Sequence, residues 1–94
     1  MVKYSYPKPN LIVSDRGYEI ERGDYTLRYS DDTRTFEMDF EFINPPEGIG
    51  IVVYKDTIVL AGSRAALVPP ERRQEIIANI REAFGSKGVS VDVL

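Results

Sequence analysis

An α+β fold is what this sequence predicts: an antiparallel β-meander sheet packed on one C-terminal helix, with a final short strand after the helix. Three observations carry that expectation. The stretch Phe36 to Phe42 alternates without a fault, placing Phe36, Met38, Phe40 and Phe42 on one side and Glu37, Asp39 and Glu41 on the other. That is the period of a half-buried strand, and a helix would scatter both sets. Upstream, two alternating runs flank Gly23-Asp24 and lead directly into this strand. Downstream, one stretch from Pro70 to Lys87 carries Ile76, Ile77, Ile80, Ala83 and Phe84 at helical spacing, the roof that four large strand side chains require.

Taken in order, residues 1–10 read as an extended lead-in without a core role, because Pro7 and Pro9 each remove a donor and bias the preceding residue away from helix. Residues 11–94 then form a single α+β domain. Leu11-Ile12-Val13 is either a short edge strand or the approach to the first hairpin. Gly23-Asp24 suits a two-residue turn with glycine first, which opposes Ile20 to Leu27, Glu19 to Arg28 and Tyr18 to Tyr29. A second turn at Asp32-Thr33 opposes Tyr29 to Phe36, Leu27 to Met38 and Tyr25 to Phe40, with Arg28 facing Glu37 and Thr26 facing Asp39 outside. Tyr18, Tyr25 and Tyr29 are thereby expected inside, and Arg28 between Glu19 and Glu37. Residues 44–48 form a proline-stiffened loop. Ile51 to Tyr54 and Thr57 to Ala61 are apolar on successive residues, as in a well-buried strand pair joined by Lys55-Asp56. Ala65 to Val68 is either a segment docked on the sheet or an exposed apolar patch. Pro70 suits the first helical position, Glu71 the positive end of the helix dipole, and Gly88 the stop. Val89, Val91 and Val93 alternate with Ser90 and Asp92. If the last strand shares a sheet with Thr57 to Ala61, a right-handed crossover makes the two parallel.

Ninety-four residues with 43% apolar and 29% charged side chains bound the chain to one ordinary globular core. It has neither cysteine nor histidine, which removes disulfides, thiolate nucleophiles, thiolate or imidazole metal sites and imidazole bases. The residues around Pro7 form no apolar signal core, and no run approaches the ~18 apolar residues that a membrane span needs. A cytoplasmic protein without a membrane role is expected. The net charge of −3 is uneven: residues 1–50 hold ten acids and six bases, 6 − 10 = −4, and residues 51–94 hold five acids and six bases, 6 − 5 = +1. An acidic first half suits a basic protein partner and repels nucleic acid.

The expected outer face of the meander gathers Glu19, Glu21, Glu37, Asp39 and Glu41 against one Arg28, with Tyr54 at a strand end. These six residues other than Arg28 are the candidate partner-binding set. Glu37 with Asp39 or Glu41 is also spaced for carboxylate-pair chemistry. Alternating acids are nevertheless the ordinary way to solvate an exposed strand, and no neighbouring residues suggest the desolvated pocket an acid catalyst needs. Asp31-Asp32-Thr33 with Asp56 or Glu47 lacks the ligand spacing and the glycine of a calcium loop. Gly48-Ile49-Gly50 precedes a strand, where phosphate loops follow one. No catalytic residue, metal or cofactor is expected. Tyr4 and Tyr6 join Tyr54 as the tyrosines outside the expected core.

Gly17-Tyr-Glu-Ile-Glu-Arg-Gly23, the acidic meander, Gly48-Ile-Gly-Ile-Val-Val-Tyr54 followed by Thr57-Ile58, the Pro69-Pro70 helix with Glu75-Ile76-Ile77, and the close from Phe84 through Val93 come in an order that resembles the immunity protein 74 family. These are small antitoxins encoded beside bacterial polymorphic or contact-dependent toxins. The similarity runs from about Gly17 to Leu94. It implies a non-enzymatic protein that binds one cognate toxin and blocks it, and an acidic sheet would suit a basic toxin. The alternative class is a structural or regulatory module that homodimerises through a sheet edge or the 64–68 segment.

Overall fold

The computed structural model describes residues 3–32, 34–43 and 48–94, with backbone alone over 63–67. In chain order these form β1 (Tyr4–Lys8), β2 (Leu11–Ser14), β3 (Glu19–Arg22), β4 (Thr26–Ser30), β5 (Thr35–Ile43), β6 (Ile49–Val53), a 3₁₀ turn (Lys55–Thr57), β7 (Val59–Leu60), β8 (Ser63–Leu67), α1 (Pro70–Gly85) and β9 (Val89–Val93). The sheet order is β1-β2-β3-β4-β5-β6-β9, with β7 also on β5 and β8 on β7. Every pairing is antiparallel except β6 with β9. The expected meander, helix and closing strand are all present. The turn residue Thr33, the loop residues Asn44 to Glu47 and the side chains from Arg64 to Leu67 lie outside the described residues, whereas Val68 is buried.

β5 is the longest strand and the hub. Its Phe36, Met38 and Phe40 are 4%, 1% and 1% exposed and meet Ile20, Leu27, Tyr29, Ile51 and Val53 from neighbouring strands. Over them lie Ile76, Ile80, Ala83 and Phe84 of α1, with Ile77 partly buried at the margin. Each such large apolar side chain contributes about 1.5–3 kcal/mol on leaving water. The helix ends at Gly85, slightly short of Lys87. The Lys87 and Gly88 amides then donate to the Phe84 and Gly85 carbonyls, and Gly88 takes φ 75°, a left-handed conformation that turns the chain into β9.

Several local expectations change. The first hairpin turns about Asp24-Tyr25: the Gly23 amide donates to the Thr26 carbonyl, and Ile20 opposes Tyr29 instead of Leu27. The register slips by two residues, so the inner and outer faces survive. Tyr25 does not: it sits in the turn and is 78% exposed. Phe42 is 52% exposed as well, because the β3–β4 hairpin ends opposite Asp39 and leaves it no neighbour on that side. Its ring instead stacks edge-on against Phe40 at 5.3 Å and lies under the Arg22 guanidinium at 5.1 Å. The second hairpin keeps the expected register from Thr26 opposite Asp39 to Tyr29 opposite Phe36, while Tyr25 falls outside β4.

β6 and β7 do not pair with each other. Both lie end to end along one edge of β5, Val53 opposite Phe40 and Leu60 opposite Phe36, with the 3₁₀ turn between them. Thr57 pins this break: its hydroxyl donates to the Tyr54 carbonyl at 2.6 Å and accepts from the Asp39 amide at 2.8 Å. The crossover through α1 therefore returns beside β6, and β9 is parallel to Ile49–Val53, not to the Thr57 to Ala61 segment. Leu11–Ser14 is an interior strand, because Tyr4–Lys8 pairs outside it. Thus part of the lead-in joins the sheet, and Tyr4 packs against the core.

A polar seam runs along one flank of α1. The Tyr4 and Tyr18 hydroxyls share a hydrogen bond at 3.3 Å, Tyr18 also donates to the Asn79 carbonyl at 3.4 Å, and the Asn79 amide donates to the Tyr29 hydroxyl at 2.8 Å. Burial, then the Tyr18 hydroxyl, holds the Tyr4 phenol above the usual tyrosine range. Burial likewise raises Tyr29, against the lowering influence of Asn79 and Arg72. Both phenols release their protons more readily in the unfolded chain, so this stabilisation is complete below about pH 10 and declines as pH rises from there towards the folded values. Urea melts should show stability falling above about pH 10, with a shallower fall in Tyr4→Phe and Tyr29→Phe. Equal slopes in all three proteins would contradict this.

Candidate protein-binding face

The side of the sheet remote from α1 is built by register. Glu21 opposes Arg28, Arg28 opposes Glu37, Thr26 opposes Asp39, Glu41 opposes Val52, and Val52 opposes Asp92. Directly opposed residues share a face, so one row crosses β3, β4 and β5 and a second crosses β5, β6 and β9. Arg28 lies 4.0 Å from Glu21 and 3.6 Å from Glu37. Its acidic neighbours are thus Glu21 and Glu37, not Glu19, which opposes Ser30 because of the two-residue slip. Such exposed pairs are each worth about 0.2–1 kcal/mol.

Along β5, Glu37, Asp39 and Glu41 recur at the strand spacing of about 6.6–6.8 Å. Asp39 and Glu41 are exposed, and Glu19 is exposed at the far end. Tyr54 follows β6 on the same side, its amide donating to the Asp39 carbonyl at 3.1 Å. Desolvation, then the adjacent Glu41 carboxylate and its hydrogen bond, holds the Tyr54 phenol above the usual range. The structure therefore brings together five of the six residues expected to form the face, Glu21, Glu37, Asp39, Glu41 and Tyr54, with Glu19 at its margin.

Four further members escape a reading of the sequence. Tyr25, Asp56 and Leu94 line a groove of about 620 Å³ with Asp39, Glu41 and Tyr54. Asp92 extends the acidic row through Val52, an outward-facing valine that is only 9% exposed. Tyr25 and Leu94 were hidden by placement, one at a turn whose position shifted and the other just past the last residue of β9. A second groove, of about 540 Å³, opens where β6 and β7 part and includes Glu37, Asp39, Thr57 and Val59. Asp39 belongs to both. An acidic surface with one exposed tyrosine, Tyr25, and one partly buried, Tyr54, can attract a basic partner at long range and anchor it by amphipathic rings at short range.

Tyr4 and Tyr6, the other two tyrosines expected outside the core, lie on the helix side. Tyr6 is hydrogen-bonded to the Ser86 hydroxyl at 2.7 Å with Lys87 over its ring at 5.4 Å. Among the described residues no three acidic side chains converge as a metal cage would require, and no helix is long and apolar enough to cross a membrane. No family model, curated protein or solved structure matches this chain.

Proposed function

We propose that this chain is a protein-binding module whose partner is a basic protein, and that it acts without catalysis. Within that class we assign it as an immunity protein that binds a cognate bacterial toxin and blocks its active site or substrate surface. One observation carries the first step: Glu21, Glu37, Asp39, Glu41 and Asp92 lie on one sheet face whose central row holds a single cation, Arg28. Many small toxins act on nucleic acid and carry basic surfaces, which an acidic face would both steer towards and cover. The resemblance of the chain to the immunity protein 74 family supports the second step. Cytoplasmic action would follow, since a nuclease toxin must be blocked where its substrate lies.

Capture with the full chain from cells of its source should yield one predominant basic protein. Expression of that protein alone should arrest growth, and co-expression of this chain should restore it. An acidic partner, or a basic one whose expression is harmless, would refute the immunity assignment.

A further inference from the structure

The two ends of the main strand order, β1 and β9, are treated differently. At one end β1 carries Pro7, which has no amide proton, an irregular register between Ser5 and Lys8, and Lys8 itself. These are the usual devices by which an edge strand is kept from pairing with another chain. At the other end β9 pairs with β6 in unbroken register from Val89 to Val93, and its sequence Val-Ser-Val-Asp-Val holds no proline, lysine or bulge. Its three valines are only partly buried, with Ile49 59% and Leu94 65% exposed beside them.

We infer that β9 is the interface of a homodimer, in which two copies pair antiparallel about a two-fold axis at Val91 and join their sheets. Isologous pairing requires a strand complementary to itself, and β9 is most fully so in this register. Val91 then faces Val91 of the second copy, Val89 faces Val93, and Ser90 faces Asp92. Valines meet valines throughout and the two carboxylates stay apart. A register one step towards the C-terminus sets Asp92 against Asp92, a repulsive like-charge pair. One step the other way sets Asp92 against Gly88 and loses a valine pair. On the helix side the rows Ile51-Val91 and Ile49-Val89 continue into Val91 and Val93 of the other copy. The carboxylate-bearing faces of both copies emerge on one side of the joined sheet. The dimer rests on β9 alone and would hold whatever the acidic face binds.

A chain without cysteine makes the register directly measurable. Opposed residues in an antiparallel pair have Cα atoms about 4.5–5.5 Å apart, within disulfide reach, whereas diagonal neighbours at about 7–8 Å lie beyond it. Full-length Val91→Cys should therefore oxidise to a covalent dimer on the order of 10-fold faster than Asp92→Cys. Light scattering of the unmodified protein should give a mass that rises towards twice that of one chain with concentration. A monomeric mass up to about 1 mM, the range of the weakest specific affinities, would overturn the dimer. Crosslinking of Asp92→Cys as fast as Val91→Cys would overturn the register and with it the proposal.

Discussion

Phe40→Ala should remove about 3–5 kcal/mol of stability, and Ile80→Ala about 2–5 kcal/mol, while Phe42→Ala, on the same strand face, should remove less than about 1 kcal/mol. Phe40 and Ile80 are 1% and 0% exposed and come from the sheet and the helix that roofs it. Removing either side chain leaves a cavity that rigid neighbours such as Val53, fully buried opposite Phe40, cannot refill. Phe42 loses only an edge-on contact with Phe40 and the stacked Arg22. A cavity cost of this size takes away a large part of the marginal stability of a small domain. Denaturant melts of the three variants measure it, and a loss at Phe42 equal to that at Phe40 would mean that the core extends to the end of β5.

Reversing Asp39→Lys together with Glu41→Lys should slow association with a basic partner on the order of 10- to 10³-fold at low salt, with the fold unchanged. These two are the better choice than Glu37, which is engaged with Arg28 at 3.6 Å. Both are exposed, both line the groove that holds Tyr54 and Tyr25, and Asp39 borders the second groove also. The wild-type on-rate should fall as salt screens the field over the ~8–10 Å Debye length, and the reversed protein should lose that dependence. Tyr54→Ala should act differently, raising the off-rate through loss of a short-range anchor while leaving the on-rate within about 3-fold, since steering depends on charge. An on-rate insensitive to both salt and charge reversal would leave the carboxylates as solvation of the sheet and exclude them as the binding surface.

The sequence alone determined which residues face inward and which outward over β3, β4 and β5, and where the helix lies. Those are consequences of local periodicity, which survives even when pairing slips: an even shift in the first hairpin moved Arg28 from Glu19 to Glu21 without exchanging a face. The outward-facing acids of β3 and β5 were legible for the same reason. Tertiary structure decided what lies beside what. Successive apolar residues in Ile51–Val53 and Thr57–Leu60 fit a hairpin as well as two strands end to end, and only the competition for the single free edge of β5 selects the second. Once β6 occupies that edge beside Phe40 to Ile43, its own outer edge is the place left for β9, and Asp92 thereby joins the acidic face. Likewise the alternation at Phe42 and Tyr25 continues past the point where neighbours exist to bury them, because burial depends on the length of adjacent strands, a property no local pattern contains.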